Sequence, residues 1–513
     1  MLVRSSVSLL VAAALLLSCG AGLAQGAGGT LTLAVQAEPN GLCLITTPLA
    51  VSYQLMTYNV YETLLRYTTD GDLVPLLAEG YEVEEVEGGA EYTFHLRTGV
   101  LFHDGTPFDA ADVVYTFDRL LSPAVASPNA SSFDFLREVV QVDERTVRFL
   151  TDGKGAPLVG YLASAKGAGI LPEGADLEAL RTRPVGTGPF AFDEWVPGDH
   201  LTLVRNPAYW QAGLPSLDRV VVRFISDAAA SLAALQAGDL DLVDRMLAES
   251  ALQLEGDPRF KVVSGPMNLA QLLAMNTARP PFDNVLVRRA ISYAVDRAAI
   301  IAATDLKPEW GTPIGSHTCP LNPYYVDLTG RYPHDPERAR ALLAQAGYPN
   351  GFKATIVLPQ QYEIHVRAGE VIADELRQVG IDCTLELVDF SSGWLARVYN
   401  QRDYDMTVIG HDQGIEPAAN FKGFERIKAD GTSDYYWQYT SPFLRDLLAR
   451  GKDTFDLAER RAIYAMVQTH IADEAVCAWI QDPHLLEGMR AGVMGFAALP
   501  IYVIDLVAIW IED

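Results

Sequence analysis

The chain has 513 residues, a formal net charge of −26 and 49% hydrophobic residues. This length exceeds what one hydrophobic core usually serves, so two or three domains are expected. The strong negative charge excludes nucleic acid as a natural partner, because phosphate binding needs clustered lysine and arginine.

Residues 1–24 are predicted to be a signal peptide, in which Arg4 precedes the apolar run 7–17. That run is too short to cross a bilayer as a helix. Two cleavage interpretations stay open. Gly22-Leu-Ala24 suits an ordinary signal peptidase, whereas Leu16-Leu-Ser-Cys19-Gly20 resembles a bacterial lipobox in which Cys19 would be lipidated. Both predict a mature protein in the periplasm or on the outer face of the cytoplasmic membrane.

Export permits disulfides, but the later cysteines are far apart and form no C-x-x-C pair. They are Cys43, Cys319, Cys383 and Cys477. Buried free thiols are the favoured interpretation.

The first half of the mature chain alternates strand and helix signals. Residues 30–35 have the alternation of a strand and lead into the polar turn 36–41, where Glu38 and Asn40 are candidate ligand contacts. Residues 55–66 have helical spacing. A hairpin is predicted around Gly88-Gly89.

Asp109 is a natural N-cap for the next predicted helix, whose inward face would carry Val113, Phe117 and Leu120. Further along, residues 368–379 form an amphipathic pattern that Gly380 ends.

A β-α-β unit follows, with strands predicted over residues 381–388 and 404–409 and a helical segment over 391–400. The second strand leads into a polar loop, residues 410–417. Because ligands bind at the carboxyl ends of strands in open α/β sheets, this loop is predicted to be the floor of a binding cleft. Its candidate residues are Gly410, His411, Asp412, Gln413 and Glu416.

His411 and Asp412 are the most functional-looking polar pair, since a carboxylate beside a histidine can recognise a cation, an amine or sugar hydroxyls. In the alternative interpretation, His411 points inward and only Asp412 meets solvent. Trp394, Tyr436 and Trp437 could enclose a ligand, but core packing explains such aromatic residues as well.

Several segments, in a shared order, resemble the family 5 extracellular solute-binding proteins, the oligopeptide, dipeptide and nickel binders of ABC importers. These segments are Asn59–Arg66, Leu73–Glu79, Leu96–Leu120, Gly186–Phe190, Arg205–Trp210, Pro281–Asp283, Val287–Arg297 and Ala341–Phe352.

The resemblance implies an α/β, class II periplasmic-binding-protein fold with two lobes and a ligand cleft at the hinge. Lobe I would comprise residues 28–267, with an inserted subdomain near 55–183, and lobe II residues 268–484. Residues 485–513 would return to lobe I. A bound solute would close the lobes, and a membrane permease would read the closed state.

In the peptide-binding branch, an Asp about four residues after a Gly pairs with the free amino group of the peptide. Here Asp412 lies only two residues after Gly410. The resemblance aligns Glu416-Pro417 with the family, which implies a loop one residue shorter, with Gln413 or Gly414 in the equivalent place. Asp412 or Glu416 would then capture the amine from a shifted backbone. The nickel branch is less similar, because Ala418-Ala419 stand where it places a His.

The sequence therefore predicts a monomeric, non-enzymatic receptor for a peptide or similar polar solute, with ABC permease subunits as partners and no cofactor or bound metal. Oligosaccharides, other small organic solutes and metal complexes stay open as ligands, and a sensor on the same scaffold stays open as a function. An exported hydrolase is disfavoured, because the chain lacks G-x-S-x-G and H-E-x-x-H motifs.

Overall fold

The structure is a computed structural model that describes residues 28–512 except 48, 154, 165, 167 and 168. The predicted signal peptide and Cys19 lie outside the described residues. The chain divides into unit 1, which runs up to Ser264 and resumes at Leu486, and unit 2, Gly265–Leu485. The sequence predicted that the chain would leave lobe I after residue 267 and leave lobe II after residue 484.

Twenty strands of the described residues form the sheets of the two units. In chain order they are β1 (Thr30–Val35), β2 (Leu65–Tyr67), β3 (Leu73–Pro75), β4 (Ala78–Val86), β5 (Gly89–Leu96), β6 (Leu136–Asp143), β7 (Thr146–Asp152), β8 (Phe190–Val196), β9 (His200–Arg205), β10 (Arg219–Phe224), β11 (Leu242–Val243), β12 (Phe260–Pro266), β13 (Leu269–Met275), β14 (Gly311–Pro313), β15 (Phe352–Pro359), β16 (Ile381–Val388), β17 (Met406–Asp412), β18 (Cys477–Arg490), β19 (Val493–Met494) and β20 (Trp510–Ile511).

Fourteen α-helices lie among the strands of the described residues. They are α1 (Ala50–Met56), α2 (Ala110–Leu121), α3 (Leu158–Tyr161), α4 (Leu177–Leu180), α5 (Ala228–Ala237), α6 (Ala248–Leu254), α7 (Val285–Ala294), α8 (Arg297–Thr304), α9 (Pro336–Gln345), α10 (Glu363–Gln378), α11 (Pro417–Asn420), α12 (Lys422–Glu425), α13 (Pro442–Asp453) and α14 (Leu457–Asp473).

Unit 1 contains two main sheets. In the first, β8, β9 and β10 are antiparallel neighbours, and β10, β1 and β11 run parallel. The second has the antiparallel order β4-β5-β7-β6. The predicted first strand and the hairpin at Gly88-Gly89 are confirmed, since β4 pairs with β5 up to Val86 opposite Gly89.

The predicted helix over residues 55–66 is wrong. Helix α1 ends at Met56, and Tyr58 adopts a left-handed backbone with φ 66°. The buried side chain of Asn59 then donates to the Ile504 carbonyl at 2.7 Å and accepts from the Leu506 amide at 3.0 Å. These long-range bonds, which residue periodicity does not reveal, stabilise an irregular turn.

Unit 2 is built on a sheet with the order β16-β15-β17-β13-β18. The two predicted strands of the β-α-β unit are confirmed as parallel members of one sheet, although β15 lies between them. Their connection contains a π-helical segment, Phe390–Gln401. Strand β17 runs three residues further than predicted, because antiparallel pairing with β13 continues to Leu269 opposite Asp412. Gly410, His411 and Asp412 therefore belong to the strand and not to the loop.

The predicted start of α2 and the predicted end of α10 are confirmed, whereas α10 begins at Glu363 and not at the predicted residue 368. Asp109 caps α2 by accepting from the Ala111 amide at 2.7 Å, and Asp112 completes a capping box. Gly380, which follows α10, has φ 96°, a conformation that glycine adopts without steric cost.

A buried ion pair anchors the segment after β17. Arg460 on α14 donates to Glu416 at 2.5 and 3.1 Å, and both side chains are only 5% exposed. Arg460 also donates to the Tyr324 hydroxyl at 2.9 Å, while Glu416 caps α11 by accepting from the Ala418 amide. Charge-assisted bonds of this kind fix the loop to the helix.

A second buried carboxyl group holds the start of β13. Asp482, on β18, accepts from the Leu269 amide at 3.0 Å, and the Met267 and Asn268 amides also face it. Burial raises the pKa of Asp482 to about 7, although these amides oppose that shift. Asn268 itself has a left-handed backbone with φ 58°. The carboxyl group thus stabilises a strained turn.

Within the described part of the chain, no helix is long and apolar enough to cross a bilayer. The same residues contain no group of three or more acidic, histidine or cysteine side chains suited to a metal ion. The four later cysteines are free, as the sequence favoured, and only Cys383 is less than fully buried.

We expect Glu416→Gln to destabilise the protein by about 3–5 kcal/mol, because it leaves the Arg460 charge buried without a counter-charge. Urea unfolding followed by circular dichroism measures the change. The matched control is Glu363→Gln, which removes a surface pair with Arg367 and should cost far less. If the two substitutions lower the free energy of unfolding equally, the buried pair stabilises the protein no more than the surface pair does.

The pKa of Asp482 predicts a pH-dependent stability. The folded-state pKa of about 7 exceeds the ordinary 3.8, so the contribution of protonated Asp482 is present at low pH and is lost as pH rises from about 4 to about 7. Relative to Asp482→Asn, the wild type should lose up to about 4 kcal/mol of unfolding free energy over that range. Denaturation at pH 4.5, 6 and 7.5 measures it, and a difference that is constant with pH would contradict the assignment.

Candidate functional site

Asp412 ends strand β17 at the carboxyl edge of the parallel strands of unit 2. Its side chain is exposed, and no described residue hydrogen-bonds or ion-pairs with its carboxylate. The pKa of the neighbouring Tyr362 hydroxyl is raised by burial and, additionally, by the charge of Asp412. Asp412 therefore offers an unneutralised negative charge where α/β sheets bind ligands.

His411 has a different environment from its neighbour. Its Nε2 lies 2.7 Å from the Tyr436 hydroxyl, and its ring centroid lies 5.4 Å from that of Trp437. Burial, with smaller repulsion from His317 and His365, lowers the pKa of His411 to about 3. The imidazole is therefore neutral at physiological pH, and its contacts agree with the interpretation in which His411 points into unit 2.

Gln413 continues the pairing beyond β17. Its amide donates to the Asn268 carbonyl at 2.8 Å, and the Asn268 side chain donates back to the Gln413 carbonyl at 2.8 Å. The side chain is buried, and no described residue donates to its Oε1. Gly410 has a packing role, since a Cβ there would lie 2.6 Å from the Leu269 side chain.

Glu416 is engaged within unit 2 by Arg460, as described above, and is 5% exposed. Neither carboxylate oxygen is left for an external amine, since one is used by Arg460 and the Ala418 amide and the other by Arg460. The role of Glu416 is thus to hold the loop.

The three candidate aromatic residues belong to the core of unit 2. Trp394 is 4% exposed and donates to the Thr407 hydroxyl at 2.8 Å. Tyr436 and Trp437 are each 1% exposed, and the Trp437 ring stacks on Phe424 with centroids 4.5 Å apart. These contacts are those of core packing, and none of the three presents a ring face to solvent.

In unit 1, the two candidates beyond β1 differ from each other. Glu38 accepts from the Trp195 indole at 2.9 Å and from the Gly198 amide at 3.0 Å, so its carboxylate stabilises the β8–β9 turn. Asn40 is exposed and accepts from the Thr47 hydroxyl at 2.7 Å.

Sequence reasoning missed Arg245, which lines a narrow recess in unit 1 together with Gln36 and Ser231. A signal was available, because the short alternating run Leu240-Asp-Leu-Val243 is followed directly by the charged pair Asp244-Arg245. Only its pairing with β1 identifies that run as a strand.

The comparisons with known proteins agree with this architecture. The model of the bacterial extracellular solute-binding proteins, family 5, matches residues 72–424. Heme-binding protein A of Haemophilus influenzae is 36% identical over 327 residues, which cover 59% of each chain. The aligned part thus spans less than two thirds of that relative. The glutathione-binding protein GsiB of Escherichia coli K12 is 27% identical over 469 residues, 87% of this chain and 88% of the relative.

Two solved structures extend the similarity to nearly the whole chain. The binding protein AgaA of A. tumefaciens R10, in complex with agropinic acid, aligns with TM-score 0.75 and 30% identity over 94% of this chain and 99% of the other. The DppA protein of Helicobacter pylori, in complex with peptide STSA, aligns with TM-score 0.76 and 27% identity over 95% and 99%. These matches confirm the predicted periplasmic-binding-protein fold.

Because the family model covers more than half of the sequence, the chain belongs to the family 5 bacterial extracellular solute-binding proteins, the extracytoplasmic receptors of ABC importers.

Proposed function

We propose that the protein binds a peptide or peptide-like solute with a free, positively charged amino group and delivers it to an ABC permease. The observation that carries this proposal is the exposed Asp412 carboxylate at the end of β17, which no described residue neutralises. A carboxylate in this position pairs with an ammonium group through charge-assisted hydrogen bonds.

Asp412 is the residue of this loop that would capture the amine. Glu416 is paired with Arg460, and Gln413 is a buried neutral amide, so neither supplies a free carboxylate. Asp412 is the remaining acidic candidate of the loop. The amine would thus be bound two residues after Gly410, in place of the usual four.

The ligands of similar proteins support this solute class. They are glutathione, peptide STSA, agropinic acid and heme. The first two are peptides with a free amino group, which suits Asp412. Heme suits this loop less well, because His411 is bound to Tyr436 and His317 to the Asn420 carbonyl, so neither imidazole is directed outward.

The remaining parts of the proposal concern location and mode of action. Residues 1–24 would direct export, with either cleavage after Ala24 or lipidation of Cys19. The mature protein would act as a monomer without catalysis, and closure of the two units on the solute would signal occupancy to the permease. An oligosaccharide, another organic solute or a sensory role stays an alternative.

Thermal shift with Ala-Ala-Ala and its N-acetyl derivative tests the amine capture. We expect the free tripeptide to raise the melting temperature of the wild type far more than the acetylated one. Asp412→Asn should weaken binding of the free tripeptide by about 10- to 100-fold, since a hydrogen bond to a charged group contributes about 1.5–3 kcal/mol.

The matched control is Asp382→Asn, which removes another exposed carboxylate of unit 2, at the opposite, amino-terminal end of its strand. It should leave both shifts unchanged. Equal shifts by free and acetylated tripeptides, or full binding by Asp412→Asn, would refute amine recognition by this residue.

A further inference from the structure

The parallel strands of unit 1 end around a small recess, which takes no part in the proposed binding of the amino group. Strands β1, β10 and β11 run parallel, so their carboxyl ends, at Val35, Phe224 and Val243, lie along one edge of the sheet. The residues that follow them line the recess, together with Ser231 of α5. This is the edge at which α/β sheets bind ligand groups.

Arg245 is the charged side chain of this recess whose polar atoms lack partners. Its guanidinium lies 3.9 Å above the centroid of the Tyr502 ring, and its buried Nε has no hydrogen-bond partner. Among the described residues, no acceptor takes a hydrogen bond from its guanidinium and no carboxylate forms an ion pair with it. A guanidinium has five N–H donors, and the buried Nε–H of Arg245 has no acceptor among the described residues.

The backbone at Arg245 is also held in an unusual conformation. Its φ of 54° is left-handed, and the Gln36 side chain donates to its carbonyl at 2.9 Å. A non-glycine residue in this region carries strain, and such strain concentrates at binding sites. The hydrogen bond from Gln36, which directly follows β1, therefore fixes the backbone position of Arg245.

Two buried acidic groups, Asp244 and Glu487, lie close enough to Arg245 for its charge to lower the pKa of each. Asp244 accepts from the Gln54 amide at 2.7 Å, and Glu487 is bonded to Asp244. Burial raises the pKa of both groups, and repulsion by Asp244 raises that of Glu487 further. Glu487 also accepts a hydrogen bond from the Arg245 backbone amide, so these bonds involve the backbone of Arg245 and not its guanidinium.

We propose that the recess at Arg245 is a subsite for a carboxylate group of the solute. The planar, delocalised guanidinium matches a carboxylate through two parallel hydrogen bonds, and the Tyr502 ring holds its plane. The recess has room for only about one water-sized group, so the body of a solute would lie outside it. This inference deepens the proposed function, since the solute would then be zwitterionic.

Calorimetry with Ala-Ala-Ala and its C-terminal amide tests the subsite in the mature protein. We expect the wild type to bind the acid at least about 10-fold more tightly than the amide. Arg245→Gln should weaken binding of the acid by about 10- to 100-fold and of the amide by less than about 2-fold, so that the discrimination is lost. Arg245→Lys keeps the positive charge but loses the two parallel N–H donors of the guanidinium. Its affinity for the acid should therefore be intermediate.

The matched control is Arg223→Gln, because Arg223 lies in the same sheet and its guanidinium is already paired with Asp199 at 2.9 Å. It should bind both peptides as the wild type does. An Arg245→Gln variant that weakens acid and amide equally, or neither, overturns the inference. Circular dichroism and the melting temperature establish that each variant is folded.

A second probe separates failure of the subsite from failure of the proposed peptide function. If the wild type binds neither tripeptide, the peptide proposal fails, and titration with acetate decides the subsite alone. With ¹⁵N-arginine labelling, the Nε–H signal that disappears in Arg245→Lys should shift saturably with acetate and not with chloride at equal ionic strength. An unmoved signal would overturn the inference.

Discussion

The antiparallel ladder between β13 and β17 determines what unit 2 offers to a solute. It continues to Leu269 opposite Asp412 and is extended by the mutual bonds of Asn268 and Gln413. Because side chains alternate along a strand, this register directs His411 inward to Tyr436 and leaves Asp412 in solvent. A slip of one residue would exchange the two and bury the charge.

Local sequence patterns predicted those elements whose determinants are local. Alternation located β1 and β16, and Asp109 marked the start of α2, because capping involves neighbouring residues. The same patterns failed at residues 55–66, where bonds from Asn59 to Ile504 and Leu506 override helical spacing.

The candidate site illustrates the same limit. Its segment was found from strand ends and a polar loop, but Glu416 could not be assigned a structural role without Arg460, which is 44 residues away. Arg245 depends on Tyr502, at the far end of the chain. Such pairs arise from tertiary packing and leave no periodic signal in the sequence.

The free cysteines of the described residues have a consequence for how the protein matures. Burial raises the pKa of Cys43, Cys319 and Cys477 and raises that of Cys383 to about 12, so all four sulfurs stay protonated. Since thiolates and not thiols attack disulfides and oxidants, these residues are chemically inert once the chain has folded. Within the described residues no disulfide has to form, so this part of the chain keeps the same covalent structure in reducing and oxidising compartments.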